Sequence, residues 1–343
     1  MKKDFFIKIV VLLYMLSFPG YSGMKQPCGD TLPIFYSRKY NMSVLGIENF
    51  HPFDTKKFKK VYKHLRKNLN LCPEQFVSPY RITDEELLTV HSREYLSSLR
   101  RSKNIAKIVE IYALRFVPTV FLRNGLLEPM RLGSGGTVRG AKLALEKGWA
   151  INLSGGYHHA KAENGEGFCF FADIPIAIMS IWKDKPDVKV LIIDLDAHQG
   201  NGCSSILGND KRVAILDMYN SQVYPNDTEA EAHVTYDVPI LAGTNNSTYL
   251  GLLQEWLPVA INGHKPGLVI YNAGTDIYEL DPLGALSITE DGIIKRDEIV
   301  FRAAIDNDIP ILMVLSGGYH KKSGEIIAKS IENLLNTVLK NRR

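Results

Sequence analysis

Short, nearly continuous apolar runs constrain this chain more than any other feature of its sequence. They lie at residues 149–153, 188–193, 213–216, 267–271 and 309–315, and each gives way to glycine or polar residues. Runs of this length are too short for helices in a core. They suit strands buried on both faces, as in a parallel sheet covered by helices. Helical patterns fall around them, at 137–147 (stopped by Gly148), 293–304 and 325–339. Thr83 and Glu86 form a capping box that opens another helix. Alternating strands and helices predict an α/β layered fold. After residue 30 no Pro/Gly/Ser linker is long enough to separate domains. We therefore read one domain over residues 31–343 behind an N-terminal extension, residues 1–30.

Open parallel sheets bind ligands beyond the carboxyl ends of their strands, and the chain places its unusual residues there. One run leads into Ser154-Gly-Gly-Tyr-His158-His159. A second leads into Asp194-Leu-Asp196-Ala-His198-Gln-Gly-Asn201. A third leads into Asn272-Ala-Gly-Thr-Asp276, and a fourth into Ser316-Gly-Gly-Tyr319. Asp194, Asp196 and His198 alternate with Leu195 and Ala197. A continuing strand would send all three side chains to one face. With Asp276 from the next strand end, Asp196 and His198 make a set of two carboxylates and one imidazole. That set suits a divalent first-row ion, zinc above all. Three protein ligands leave a position for water, as in a catalytic zinc site. The bland alternative makes Asp194 and Asp196 ordinary loop acids that cap the next helix.

Two adjacent imidazoles can divide labour if each meets a different partner. One of His158 and His159 would move protons between water and a leaving amine, and the other would hold charge near the metal. Asp194 and Asn201 are the natural partners. Tyr319, behind two glycines, could donate a hydrogen bond to a developing oxyanion, or be a core tyrosine. The aromatic segment Gly167-Phe168-Cys169-Phe170-Phe171 offers walls for a narrow slot that suits a long, thin substrate stem, although some of its rings must be core.

The net charge is only +4, with both signs mixed throughout, so direct nucleic-acid binding is not expected. Cys28, Cys72, Cys169 and Cys203 show no paired metal spacing and read as scattered reduced thiols. Lys2 and Lys3 precede an apolar stretch to Phe18 that contains Lys8, and Pro19 and Gly20 follow. This pattern fits a signal peptide, and an uncleaved segment would be the chain's route to a membrane. Sequons begin at Asn41, Asn152, Asn226, Asn245 and Asn246, and Asn152 is expected to be buried beside the site.

The segments SGGYHHA, GEGFCFFADIPIA, IIDLDAHQGNG, YNAGTD with Asp281 after it, and SGGY resemble the zinc-dependent histone deacetylase family. FYSRKYN, ENFHPFD, GSGGT, DMYNSQVYP and LSITEDGIIKRDE resemble its class IV branch. The resemblance implies an arginase-like three-layer fold with a central eight-stranded parallel sheet. It implies zinc on Asp196, His198 and Asp276, with His159 as general base and acid and His158 as its electrostatic partner. Tyr319 matches the carbonyl-polarising phenol. Asp194 matches both the partner of His158 and a ligand of a structural potassium ion. Asn201 stands behind His159 where some members carry aspartate, which should leave that ring less basic. Phe168 and Tyr224 match tunnel walls, and Gly167 offers a carbonyl to the substrate amide. The implied activity is hydrolysis of acetyl- or longer acyl-lysine on a histone or another protein. The class IV branch brings long fatty-acyl groups into range. An acetylpolyamine amidohydrolase and a catalytically silent scaffold stand as alternatives. The family implies nucleus or cytoplasm, whereas a working leader implies the secretory pathway and excludes histones as the main substrate.

Overall fold

A computed structural model describes residues 28–44, 46 and 54–342. The proposed leader and most of the ENFHPFD motif lie outside the described residues. The strands are β1 (Ile34–Phe35), β2 (Trp149–Asn152), β3 (Val190–Asp194), β4 (Val213–Asn220), β5 (Tyr236–Ile240), β6 (Leu268–Asn272) and β7 (Ile311–Val314). They form one sheet in the order β1-β2-β7-β6-β3-β4-β5, every neighbouring pair parallel. The longer helices relevant to the site are α1 (Lys57–Asn68), α2 (Glu128–Lys147), α3 (Asp173–Asp184), α4 (Asn201–Leu207), α5 (Asn246–His264), α6 (Glu290–Ile305) and α7 (Ser323–Asn336).

The sheet is covered on both sides, and side-chain alternation along the strands divides the core in two. Leu191, Ile193, Val269, Tyr271 and Met313 pack with Phe58 and Leu65 of α1, Leu257 of α5, Val300 of α6 and Ile331 of α7. Ile192, Ile270 and Leu312 face the other way, against Val138 and Ala141 of α2, Ile178 and Ile181 of α3 and Leu207 of α4. These three layers are the α/β architecture the apolar runs predict.

The expected eight strands are seven among the described residues. At the β1 edge, Val77 runs alongside and bridges Phe35, donating to the Ile34 carbonyl at 2.9 Å and accepting from Tyr36 N–H at 3.1 Å. A 3-10 turn at Pro73–Gln75 precedes it and Pro79 follows. The segment therefore manages one bridge and no ladder, since proline has no N–H to donate. The reading of all four cysteines as reduced thiols is also corrected. Cys28 and Cys72, with Cα atoms 5.9 Å apart, form a disulfide across 44 residues, whereas Cys169 and Cys203 are free and buried. The bonding of Leu32 N–H to the Gln75 carbonyl beside β1 brings those two cysteines together.

Register aligns the strand ends. Asp194 of β3 stands opposite Asp217 on β4 and Asn272 on β6, and Val314 on β7 opposite Asn272 and Asn152. The loops that leave this row carry the residues singled out from the sequence.

Candidate active site

Strand β3 ends at Asp194, and Asp196 and His198 lie in the loop beyond it. Strand alternation is thus not what brings the three together. Two successive side-chain-to-backbone turns do so: Asp194 Oδ1 accepts from Asp196 N–H at 3.2 Å, and Asp196 Oδ1 accepts from His198 N–H at 3.1 Å. The loop after β6 delivers Asp276, whose Oδ1 accepts from Ala197 N–H at 2.9 Å. His198 Nδ1 then lies 3.0 Å from Asp196 Oδ1 and 3.1 Å from Asp276 Oδ2. One ligand atom from each of the three residues falls within 4.8 Å of the others, and all three residues are buried. Two oxygens and a nitrogen at this spacing fit a divalent cation of the zinc type. Gly317 closes the cradle, donating its N–H to Asp196 Oδ2 at 2.8 Å. A Cβ there would overlap both carboxylates, so only glycine lets the backbone come this close.

The charges answer one another. Burial disfavours the Asp276 carboxylate and Asp196 repels it, which lifts its pKa to about 7. Burial also opposes charge on His198, but Asp196 and Asp276 overcome it and hold the ring well above the usual histidine range. A pocket that demands a positive charge between two carboxylates is what a metal cation would satisfy.

The two rings of the His158–His159 pair, 4.1 Å apart, take different partners. His158 Nδ1 meets Asp194 Oδ2 at 2.9 Å, and His159 Nδ1 meets Asn201 Oδ1 at 2.8 Å. Burial pulls both rings toward neutrality. For His158 the carboxylates of Asp194 and Asp196 outweigh it and raise the pKa to about 9. For His159 the neighbouring His158 and His198 add to burial, and the pKa falls well below the ordinary value. The pair is therefore split into a cationic and a neutral ring.

Acids the sequence reading left out fix the direction of the Asn201 amide. Its Nδ2 donates to Glu166 Oε1 at 2.6 Å and Asp227 Oδ2 at 3.2 Å, and Lys161 pairs with both acids. With the NH2 side spent on carboxylates, Oδ1 must face His159. Nδ1 then carries the proton, and the Nε2 lone pair is left for the cavity.

Tyr319 sits at the rim, its ring 6.1 Å from His198 and 5.9 Å from Phe168. Asp281 positions it by accepting from Tyr319 N–H at 2.7 Å and His320 N–H at 3.1 Å. Burial, then the charges of Asp276 and Asp196, hold the phenol pKa well above 10, so it stays a donor. Tyr224, at the mouth and 40% exposed, stands 5.0 Å from His159. Phe168 and Gly167 both adopt positive φ, 65° and 51°, and this turn sets Phe168 beside Tyr319. Of the predicted site residues, His158, His159, Gly167, Phe168 and Tyr319 line one pocket, and Asp194, Asn201, Tyr224 and the Asp196–His198–Asp276 cluster lie against those side chains. The potassium ion expected at Asp194 rests on the resemblance alone; the carboxylate's partners here are His158, Asn272 Nδ2 and Asp196 N–H.

Besides Glu166 and Asp227, two further supporting residues were not singled out from the sequence. Asp173, at the start of α3, accepts from the N–H groups of Gly156 and Tyr157 and from the Thr137 hydroxyl, and so fixes the turn before the histidines. Lys57 is fully buried and donates to the carbonyls of Ser316 and Gly317 at 2.6 and 2.8 Å. Burial lowers its pKa to about 8 despite nearby carboxylates. Asp173 lies within the GEGFCFFADIPIA segment without its role being evident there, and Lys57 acts on carbonyls 259 and 260 residues away. Asn152, the expected buried sequon, is indeed buried, bonded to Tyr40 and to the Gly133 carbonyl.

One pocket is lined by His158, His159 and Tyr319 together with Met42, Val44, Phe58, Leu126 and Met130. Its lining is mostly apolar.

Residues 51–338 match the histone deacetylase domain family. The chain is 48% identical over 301 residues to histone deacetylase 2 of Arabidopsis thaliana, covering 88% of this chain and 78% of that one. It is 28% identical over 255 residues to a probable deacetylase of Archaeoglobus fulgidus, covering 71% and 68%. The crystal structure of the HDA15 HD domain shares the fold at a TM-score of 0.70 and 20% identity, over 91% of this chain and 89% of that one.

Proposed function

The chain belongs to the histone deacetylase family and is a hydrolase of deacetylase type, and from this premise we propose that it is a zinc-dependent lysine deacylase with room for acyl groups longer than acetyl. Convergence of Asp196, His198 and Asp276 on one point beneath a neutral histidine carries the reading. Those three residues would hold the ion, which supplies a Lewis acid that polarises the amide carbonyl and acidifies the attacking water.

The side chains do the rest. His159 presents Nε2 to the cavity, takes a proton from the attacking water and passes it to the departing lysine Nε. His158, cationic against Asp194, stabilises negative charge as it develops. The Tyr319 hydroxyl donates to the oxyanion. Phe168 and Tyr224 would flank the lysine stem, and the Gly167 carbonyl would accept from the substrate amide.

Asn201 sets the basicity of His159, and this has a measurable consequence. A neutral amide supports the imidazolium less than a carboxylate would. His159 is active when deprotonated, so activity should fall only as pH drops below its depressed pKa. Asn201→Asp is expected to move that acid limb of kcat/KM to higher pH. An unmoved limb would mean that His159 is not the titrating base.

The apolar pocket supports the preference for long chains. Each methylene buried there contributes up to about 0.8 kcal/mol. With lysine peptides carrying acetyl, octanoyl and myristoyl groups, kcat/KM is expected to rise by at least about tenfold from the first to the longer ones. Turnover of acetylpolyamines alone would sink the protein-deacylase reading, and a preference for acetyl would sink the long-chain part. We place the chain on the class IV branch from DMYNSQVYP and LSITEDGIIKRDE. The Cys28–Cys72 disulfide supports passage through an oxidising compartment, and with it a protein target other than histones.

A further inference from the structure

We propose that residues 100–123 form a docking face for an anionic phospholipid surface, whose benefit to the protein rests on the deacylase reading above. The sequence pointed to a membrane only through the N-terminal segment; this face lies elsewhere. Of the eight large apolar residues most exposed among the described residues, four fall within ten positions: Tyr112 at 71%, Phe116 at 76%, Val120 at 48% and Phe121 at 46%. Monomeric proteins seldom cluster exposed aromatics in this way without a partner for them.

The charge around these side chains names the partner. Residues 100–123 hold six basic residues, Arg100, Arg101, Lys103, Lys107, Arg115 and Arg123, against the single acid Glu110. That is a net +5 in a chain whose total is +4, so the rest of the molecule is slightly acidic. All six are exposed, and none is ion-paired among the described residues. The Arg115 guanidinium lies 4.6 Å from the Tyr112 ring centre and 5.1 Å from that of Phe116. Arg100 and Arg123 line one groove with Val120, where Arg81, Arg93 and Arg131 stand with them against Asp84, Glu85 and Glu128. Exposed aromatic side chains on a segment rich in arginine and lysine match the boundary between lipid headgroups and acyl chains. An acidic protein surface would answer the cations but would leave the aromatic tips without an apolar medium. No helix among the described residues is long and apolar enough to cross a membrane, so the contact proposed is peripheral.

The placement has a functional logic. The 3-10 helix Tyr112–Phe116 turns Tyr112 and Phe116 outward and buries Leu114, which with Val109 and Ile111 lines the pocket next to Phe168. Docking would set the wall of the acyl pocket at the lipid surface, where fatty-acylated substrates concentrate.

The test uses the full chain. Ala113→Cys, exposed on this helix, and Lys211→Cys, exposed before β4 at the opposite rim, would each carry an environment-sensitive fluorophore. The native cysteines are bonded or buried and should stay unlabelled. Mixed phosphatidylcholine–phosphatidylserine vesicles should shift the emission of the Ala113 probe to the blue and leave the Lys211 probe unchanged. Phosphatidylcholine alone should do neither, and added salt should weaken the response. Combining Tyr112→Ser, Arg115→Glu and Phe116→Ser should reduce vesicle affinity by about tenfold or more while the far-UV spectrum is kept. Silence of the Ala113 probe, an equal response of both probes, or full affinity in the triple variant would overturn the proposal. Vesicle contact is read without turnover, so its failure is separate from any failure of the deacylase reading.

Discussion

His198→Ala is expected to empty the metal site and abolish measurable hydrolysis while the protein stays folded. His198 Nδ1 is the only nitrogen among the three converging ligand atoms and faces both carboxylates. Without it, Asp196 and Asp276 are left buried side by side with one ligand fewer for the ion. Burial and Asp196 already push Asp276 up to about 7, and removing the cationic partner pushes in the same direction. A proton shared by the acids would then compete with the metal, because ligands must be deprotonated to bind. Zinc affinity should fall by more than about a hundredfold, beyond the 10–100-fold typical of losing a residue that merely orients a ligand. Metal analysis after dialysis should give close to one zinc per chain for the unaltered protein and almost none for the variant. The sheet has its own apolar layers on both faces, and the ligands sit past the strand ends. Chelation should therefore remove activity without removing the far-UV signal. A variant that keeps full zinc would place the metal elsewhere and end the proposed mechanism.

What was legible in the chain follows the range of the forces involved. The apolar runs at 149–153, 188–193, 213–216, 267–271 and 309–315 correspond to β2, β3, β4, β6 and β7, because central parallel strands are buried on both faces and must be apolar throughout. The edge strand β5 was not found. It is only half-buried and contains Pro239, which an edge position tolerates. Helix α5 escaped because Pro258 lies inside it, where proline usually reads as a stop, and its apolar positions mark no clear stripe. Helix α2 was seen only from residue 137, since glycine is a poor helix former, yet Gly133, Gly135 and Gly136 let the helix pack closely on Tyr157, Tyr80, Tyr40 and Asn152. The site motifs were readable because each is a short string at a strand end. Their supports were not. Lys57 bonds carbonyls 259 and 260 positions away, Asp173 serves a turn 16 and 17 positions before it, and Cys28 finds Cys72 only once β1 is in place. Such partners are created by the fold, and local pattern carries no trace of them.

Tyr319→Phe separates binding the metal from using it. The substitution removes one oxygen and keeps the ring, so its contacts with Phe168 and His198 survive. Asp281 holds the segment through backbone N–H groups, which the change does not touch. The ligand set and its Gly317 cradle are likewise untouched, so zinc should stay near one per chain. What disappears is a hydrogen-bond donor aimed at charge that exists only during reaction. Burial and the charges of Asp276 and Asp196 hold the phenol pKa well above 10, so the unaltered protein has this donor at neutral pH. Loss of one such preorganised donor costs about 10²–10³ in kcat. It should fall on kcat with KM changed little, since the ground-state amide gains less from the bond than the oxyanion does. The pH profile should keep its shape, because Tyr319 does not titrate within it. Wild-type turnover in this variant would show that the oxyanion is stabilised without the phenol. Loss of zinc would show that Tyr319 shapes the site and does not act on the substrate.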